Sequence, residues 1–221
     1  MSVADQQQLN AEEIAAIYRA ISPERIGRYL MASGHNPHRA MQLYIWNARI
    51  GEAFHLPIQA VEVALRNSVN TALLAQYGTK WWLNPAYQDL IDHDREADLS
   101  AVRRRIRNRK QREDIGQIVA GLSLGFWVGM LQPRYNPELW SRQIKNAFPY
   151  LPDEKGRKSL AKAAGSIANL RNRISHHEPL IDRDHNKDYK LVMDMLDWLC
   201  PHKSRWIAAY SRVPQVIREK P

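Results

Sequence analysis

A chain of 221 residues with 44% hydrophobic and 25% charged residues carries enough apolar side chains for a packed core, which excludes a largely disordered chain. Lysine and arginine outnumber aspartate and glutamate by 32 to 23, and the resulting charge of +9 favours an anionic partner, nucleic acid first and a membrane surface second. The single cysteine, Cys200, excludes an internal disulfide and a cysteine-rich zinc site.

The amino-terminal stretch MSVADQQQLNAEE contains no apolar run of the kind that signal peptides carry. The most apolar segment, residues 118–131, is shorter than the roughly 20 residues that cross a bilayer. We therefore expect a cytoplasmic protein without a membrane span. Residues 1–221 are predicted to form a single all-α domain, in which the first 20 or so residues form a peripheral amino-terminal helix.

The first helices are marked by their capping residues. Ser22 followed by Pro23, and Asn36 followed by Pro37, are typical helix starts, because the polar side chain accepts a free backbone N–H and proline suits the first helical position. Gly34 is a typical helix stop. These signals predict one helix from Pro23 towards Gly34 and another that begins at Pro37.

A further helix is predicted to begin at Leu56-Pro57 and to end at Gly78, with its apolar residues on one stripe: Ile58, Val61, Leu65, Val69 and Ala72. Further helical runs cover approximately 85–112, 114–131, 137–147, 153–177, 187–199 and 202–212. Alternating β patterns and Asn-Gly hairpin signals are absent from the sequence. The sequence therefore predicts an all-α helical bundle.

The run from Leu160 to Ile174 predicts an amphipathic helix with a charged residue on its apolar face. At 100° per residue, that face carries the following residues: Leu160, Ala163, Ala164, Ile167, Leu170 and Ile174. Arg171 falls inside the same stripe. A buried guanidinium needs a partner or a polar pocket, so Arg171 either pairs with a carboxylate at the core edge, extends to solvent, or belongs to a site.

Glu62 is the candidate partner for Arg171. It lies at the edge of the apolar stripe of its own helix, and Arg66 follows it at i+4. One interpretation is an intrahelical ion pair between Glu62 and Arg66, worth about 0.2–0.5 kcal/mol. The other is that Glu62 reaches Arg171 and fixes its orientation, so that Glu62 and Arg66 support the site.

The end of this helix carries two histidines. Pro179 disfavours helical geometry at the residue before it, so the helix should end near His177. Arg171 and His176 are five residues apart and hence about 140° apart around an ideal helix, whereas Asn172 and His176 share a face. Arg171 and His176 can therefore converge only through a distorted last turn, or through a second copy of the helix across a two-fold axis.

The stretch LRNRISHHEPL resembles the Arg-x4–6-His signature of the HEPN superfamily, in the form typical of Abi-like (abortive infection) bacterial proteins. The segments VEVALRNSVN, GLSLGFWVGML and LWSRQIKNAFP resemble further parts of that family in the same order. The resemblance implies an all-α, HEPN-like bundle with additional helices and a homodimeric, metal-independent endoribonuclease without a cofactor. Arg171, Asn172 and His176 match the motif, and His177 matches its looser spacing, which leaves open which histidine acts.

Metal-free RNA cleavage suits these residue types. Histidine, with an ordinary pKa near 6.5, exchanges protons at neutral pH, and arginine binds phosphate oxygens in bidentate fashion. The expected products are a 2′,3′-cyclic phosphate and a 5′-hydroxyl. The resemblance further implies a toxin of phage defence that damages RNA, with an antitoxin or an activating phage component as partner. The alternative is a catalytically inactive RNA-binding or protein-interaction module of the same fold.

A second candidate RNA contact is the segment VRRRIRNRKQRED, residues 102–114. Its density of positive charge predicts contacts to phosphates, which give affinity without sequence choice. The predicted RNA-binding residues are Arg103, Arg104, Arg105, Arg107, Arg109 and Lys110. The alternative is a solvated helix face.

Histidines 176, 177 and 185 with Glu178 also raise the question of zinc. Adjacent histidines point about 100° apart on a helix, and the sequence contains no HExxH pattern. We therefore predict no metal site.

Overall fold

The computed structural model describes residues 9–221, and all regular secondary structure in that range is helical, which confirms the all-α prediction there. Residues 1–8, part of the predicted peripheral helix, lie outside the described range. The α-helices are α1 (Ala11–Ile21), α2 (Pro23–Ala32), α3 (Pro37–Tyr77), α4 (Pro85–Leu90), α5 (His93–Asn108), α6 (Ile115–Gly121), α7 (Leu124–Gly129), α8 (Ser141–Ala147), α9 (Arg157–Ser175), α10 (His185–Leu199), α11 (Pro201–Tyr210) and α12 (Val213–Arg218). Short 3₁₀ turns cover Trp81–Leu83 and Pro133–Tyr135, and a π-helical turn covers Asn136–Trp140.

The predicted capping residues occupy the ends of α2 and α3. The Ser22 side chain accepts a hydrogen bond from the backbone N–H of Arg25, and Asn36 accepts one from Arg39. Gly78 ends α3 with a positive φ of 85°, a conformation that glycine adopts without steric cost. These local signals were sufficient to place both helix starts and the end of α3.

The predicted break at Leu56-Pro57 is wrong, because α3 is one helix of 41 residues with Pro57 in its interior. Proline in a helix interior removes a hydrogen bond and crowds the preceding turn, at a cost of about 3 kcal/mol. The apolar stripe nevertheless continues across it, with Phe54, Ile58 and Val61 all buried. Since each such side chain contributes about 1.5–3 kcal/mol on burial, packing of the continuous stripe outweighs the local cost.

Two other predicted helices are each divided in the structure. The run 85–112 breaks where Asp92 caps α5, and the run 114–131 breaks where Ser123 caps α7. Each side chain accepts a backbone N–H of the helix that follows, Asp92 that of Arg95 and Ser123 that of Phe126. Helix α12 was not predicted, because its six residues are too few to show an apolar periodicity.

Helix α3 forms the centre of the molecule and contacts α2 and α6 to α12. The buried apolar residues make one connected core that extends along the chain from Ile26 to Val216. Its largest members include the tryptophans expected in the core: Trp81, Trp82, Trp127 and Trp140. Trp198, also expected there, is only partly buried. Within residues 9–221, no helix combines the length and apolar character that crossing a membrane requires.

Helix α1 is packed against its neighbours. Its capping box is complete, because Asn10 accepts the N–H of Glu13 and the Glu13 side chain accepts the N–H of Asn10. Ile14 is buried, and the Tyr18 hydroxyl donates to the carbonyl of Pro37 at 3.2 Å. The carboxyl-terminal part of the predicted peripheral helix therefore lies against α2 and the start of α3.

The connection from α9 to α10 is fastened to α3. The backbone N–H of Leu180 donates to Asn47 Oδ1 at 2.6 Å. A Cβ added to Gly51 would lie 3.5 Å from Ile174 Cγ2, so the middle of α3 lies beside the end of α9. These contacts fix the end of α9 relative to the middle of α3.

Candidate functional site

Helix α9 buries the predicted apolar face, but Arg171 is not in the core. The side chains that pack inwards are Leu160, Ala163, Ala164, Ile167 and Leu170. The Arg171 side chain is 43% exposed, so its place inside the apolar stripe of the projection does not bury it, and it extends to solvent beside Glu62. Arg171 lies at the rim of the stripe, where its long side chain keeps the guanidinium in contact with solvent.

The guanidinium of Arg171 lies next to Glu62, with Arg171 Nε and Glu62 Oε2 3.9 Å apart. This is the contact proposed from the sequence. Arg171 Nη1 also donates to Asn172 Oδ1 at 3.4 Å. At these long distances the contacts with Glu62 and Asn172 are weak, so most N–H groups of Arg171 remain available to an anionic ligand.

The expected ion pair between Glu62 and Arg66 does not form among the described residues. Glu62 approaches α9 instead, and the Nε of Arg66 is buried without a hydrogen-bond partner within residues 9–221. The pKa of Lys203 lies below its ordinary value because of burial, with a further lowering by the positive charge of Arg66. Arg66 therefore contributes positive charge to this side of α3.

Arg171, Glu62 and Arg66 line one groove between α3 and α9, which we call the α3–α9 groove. Its volume is about 390 Å³, and its lining residues are His55, Ile58, Gln59, Glu62, Val63, Arg66, Arg171, Ile174 and Ser175. Three polar residues of this lining were not predicted from the sequence: His55, Gln59 and Ser175. The spacing of His55 and Gln59 places them on the face of α3 that carries Glu62, so a projection of α3 from Glu62 would have found them.

The two histidines lie just beyond α9, which ends at Ser175. His176 is the C-cap, and His177 has a left-handed φ of 54°. The N–H of His177 donates to the carbonyl of Ile174, and that of Glu178 donates to Arg173, which is a Schellman motif. Both histidines are exposed, and neither they nor Asn172 lines the α3–α9 groove.

Arg173 stabilises the turn that follows α9. Its Nη2 donates to the carbonyl of Pro179 at 2.6 Å, and its Nε lies 3.2 Å from a carboxylate oxygen of Glu178. Arg171 and Arg173 thus differ in role, because Arg173 closes the turn after α9 while Arg171 faces the groove.

The basic segment forms the end of α5 and the turn after it. Arg103 Nε donates to Glu113 at 3.0 Å, so the structure pairs this predicted RNA-binding residue with a carboxylate. The other predicted RNA-binding residues are exposed: Arg104, Arg105, Arg107, Arg109 and Lys110. None of the six lines the α3–α9 groove, so the basic segment is a separate surface.

Within residues 9–221, no three or more histidine, cysteine, aspartate or glutamate side chains are grouped as a metal ion would require.

Comparison of the chain with protein-family models, with curated proteins and with solved structures finds no match.

Proposed function

We propose that the protein is a homodimeric, metal-independent endoribonuclease of the HEPN type, of the Abi-like family, that acts as a toxin in phage defence. The observation that supports this most is the α3–α9 groove. There a half-exposed Arg171 is oriented by Glu62 beside a second arginine, Arg66. Little more than one helical turn further along, α9 ends in two exposed histidines.

The chemistry follows from these groups. One histidine accepts the proton of a ribose 2′-hydroxyl, whose oxygen attacks the adjacent phosphorus and forms a new P–O bond. The guanidinium of Arg171 binds the non-bridging oxygens as their charge grows. The bond from phosphorus to the 5′-oxygen breaks, and an imidazolium donates a proton to that oxygen. The products are a 2′,3′-cyclic phosphate and a 5′-hydroxyl, and DNA resists because it lacks the nucleophile.

Two chains are part of this proposal. Arg171 lines the groove, whereas His176 and His177 do not. The last turn of α9 therefore leaves Arg171 and the histidines on different sides of the helix, as five helical positions predict. A second α9 across a two-fold axis brings the histidines of one chain to the Arg171 of the other. An antitoxin or a phage component would regulate such an enzyme.

The test is expression of the wild type, Arg171→Ala, His176→Ala and His177→Ala in bacteria, with growth and RNA integrity as readouts. Lys162→Ala, an exposed cation on α9, is the matched control. We expect the wild type and Lys162→Ala to degrade RNA and arrest growth, while Arg171→Ala and at least one histidine variant do neither. Equal toxicity, or equal inertness, of the wild type and all site variants would overturn the proposal.

A catalytically inactive RNA-binding module is the second candidate. It is favoured by the exposed cations of α5, which give phosphate affinity without any catalytic group. Under this alternative the purified wild type binds RNA and leaves it intact. Binding then falls when Arg104, Arg105 and Arg107 are replaced by glutamine, and the fold is retained.

A further inference from the structure

Helix α11 carries a pair of exposed aromatic side chains. Trp206 is 62% exposed and Tyr210 is 67% exposed, and they lie at i and i+4 on one face of the helix. Their ring centroids are 6.3 Å apart and their planes meet at 75°. Among the aromatic pairs found within residues 9–221, this is the one in which both rings are exposed. Adjoining exposed apolar groups, unlike singly scattered ones, mark surfaces that contact a ligand or a partner.

The surroundings of this pair are cationic. The exposed face of α11 also carries His202 and Arg205, whose side chains lie 3.0 Å apart, and α11 contains no acidic residue. Arg212 is 61% exposed and lines a groove of about 110 Å³ together with Tyr210. Arg212 lies 4.0 Å from Glu52, and Arg49 in the same groove pairs with Glu219, so the positive charge in excess comes from α11. Aromatic faces beside guanidinium groups are the combination on which nucleic-acid bases stack.

Tyr210 and the α3–α9 groove lie beside neighbouring faces of α3. The small groove beside Tyr210 uses Arg49, Glu52, Ala53 and Leu56 of α3, and the α3–α9 groove uses a face about 100° further round the same helix. A helix with its side chains is about 10 Å wide. The lining residues of the two grooves also centre about eight positions, or roughly 12 Å, apart along α3, so a strand that reaches Tyr210 from the α3–α9 groove has to cross α3 obliquely.

We infer that Trp206 and Tyr210 form a stacking platform for the bases of single-stranded RNA, outside the α3–α9 groove. The inference takes RNA as the ligand from the proposed function but does not require cleavage. A second copy of the chain is a poorer occupant, because a two-fold interface places the same patch of both chains face to face, and α11 offers basic but no acidic residues to such a contact. In single-stranded RNA, the bases would stack on the two rings and the phosphates would pair with the flanking cations.

The test is titration of the protein, in EDTA and at low salt, with a 2′-O-methyl oligonucleotide, which lacks the nucleophile. Five of the seven tryptophans are buried, so quenching by a surface ligand reports mainly on Trp206. We expect quenching and tight binding by the wild type. Trp206→Ala should lose the quenching and bind about 10-fold more weakly, Trp206→Phe should keep most of the affinity, and Tyr210→Ala should weaken binding. Tyr150→Ala, an exposed aromatic elsewhere, should change nothing.

Unchanged affinity of Trp206→Ala, or binding without quenching, would overturn the platform. The platform would also be overturned if light scattering showed that Trp206→Ala converts a dimer into a monomer. A third contradicting result is binding to anionic phospholipid vesicles that depends on Trp206 while RNA binding does not. Quenched binding of RNA that is never cleaved would support the platform and contradict the nuclease. RNA cleavage and binding that are the same in the wild type and in Trp206→Ala would support the nuclease and contradict the platform.

Discussion

The left-handed backbone of His177 is a strain that glycine would relieve. A non-glycine residue with φ of 54° pays about 1 kcal/mol for the contact between its Cβ and the carbonyl oxygen. We expect His177→Gly to raise the free energy of unfolding by about 0.5–1 kcal/mol, measured by urea denaturation. His176→Gly, at φ of −92°, should lower it by a similar amount. Equal losses in both variants would contradict the geometry at the end of α9.

His185 should make the stability of the protein depend on pH. It is buried against Trp46 and Phe54, and burial lowers its pKa below the ordinary 6.5, with a further lowering by the charge of Lys220. Below pH 6.5 the unfolded chain binds a proton that the folded chain resists, so stability falls as the pH decreases through that value. The free energy of unfolding, measured by urea denaturation at pH 7.5 and 5.5, should fall less for His185→Leu than for the wild type. Equal losses in both proteins would contradict this assignment.

Sequence patterns predicted part of the site at the residue scale. The contact between Glu62 and Arg171 could be anticipated, because each residue stands at the edge of an apolar stripe and they carry opposite charges. The burial of Arg171 could not be anticipated, because it depends on how far α9 is rotated against α3. His55 and Gln59 share the face of α3 that carries Glu62, so a projection of that helix would have found them, whereas Ser175 joins the groove only through the approach of α9 to α3.

At the scale of helices, two glycines predict opposite effects of the same substitution. A Cβ on Gly121 of α6 would lie 2.7 Å from Val102 Cγ1 of α5, and valine cannot easily turn away. Gly165 in α9 has no neighbour within 4 Å of such a Cβ. We expect Gly121→Ala to lower the free energy of unfolding by about 1–3 kcal/mol and Gly165→Ala to raise it by about 0.5–1 kcal/mol. The same sign for both, in thermal or urea denaturation, would contradict the described packing.

Helix starts were more predictable than helix continuity. Capping is local, and Ser22 and Asn36 accept backbone N–H groups as their sequence context indicates. Pro57 shows the limit of local reasoning, because its effect on α3 depends on the burial of side chains on both sides of it. Asp92 and Ser123 are also N-caps, but no proline follows them and each lies within a long helical pattern, so these two helix starts were missed.

At the scale of the whole molecule, a site shared between two chains makes a prediction about mixed dimers. We mix Arg171→Ala with the double variant His176→Ala/His177→Ala under conditions of subunit exchange. Half of the dimers are then mixed, and each of these contains one site with an intact arginine and intact histidines. We expect the mixture to recover about a quarter of the wild-type RNA cleavage, although each variant alone has none. A mixture as inactive as its components would place the whole site within one chain.

The central claim is cleavage of RNA by its own 2′-hydroxyl at a site that depends on Arg171. Mass spectrometry of an RNA oligonucleotide incubated with purified protein in EDTA tests this most directly. The wild type is predicted to yield fragments that end in a 2′,3′-cyclic phosphate and begin with a 5′-hydroxyl, while Arg171→Ala yields none. An oligonucleotide that the wild type binds but leaves intact, or fragments that begin with a 5′-phosphate, would contradict the account.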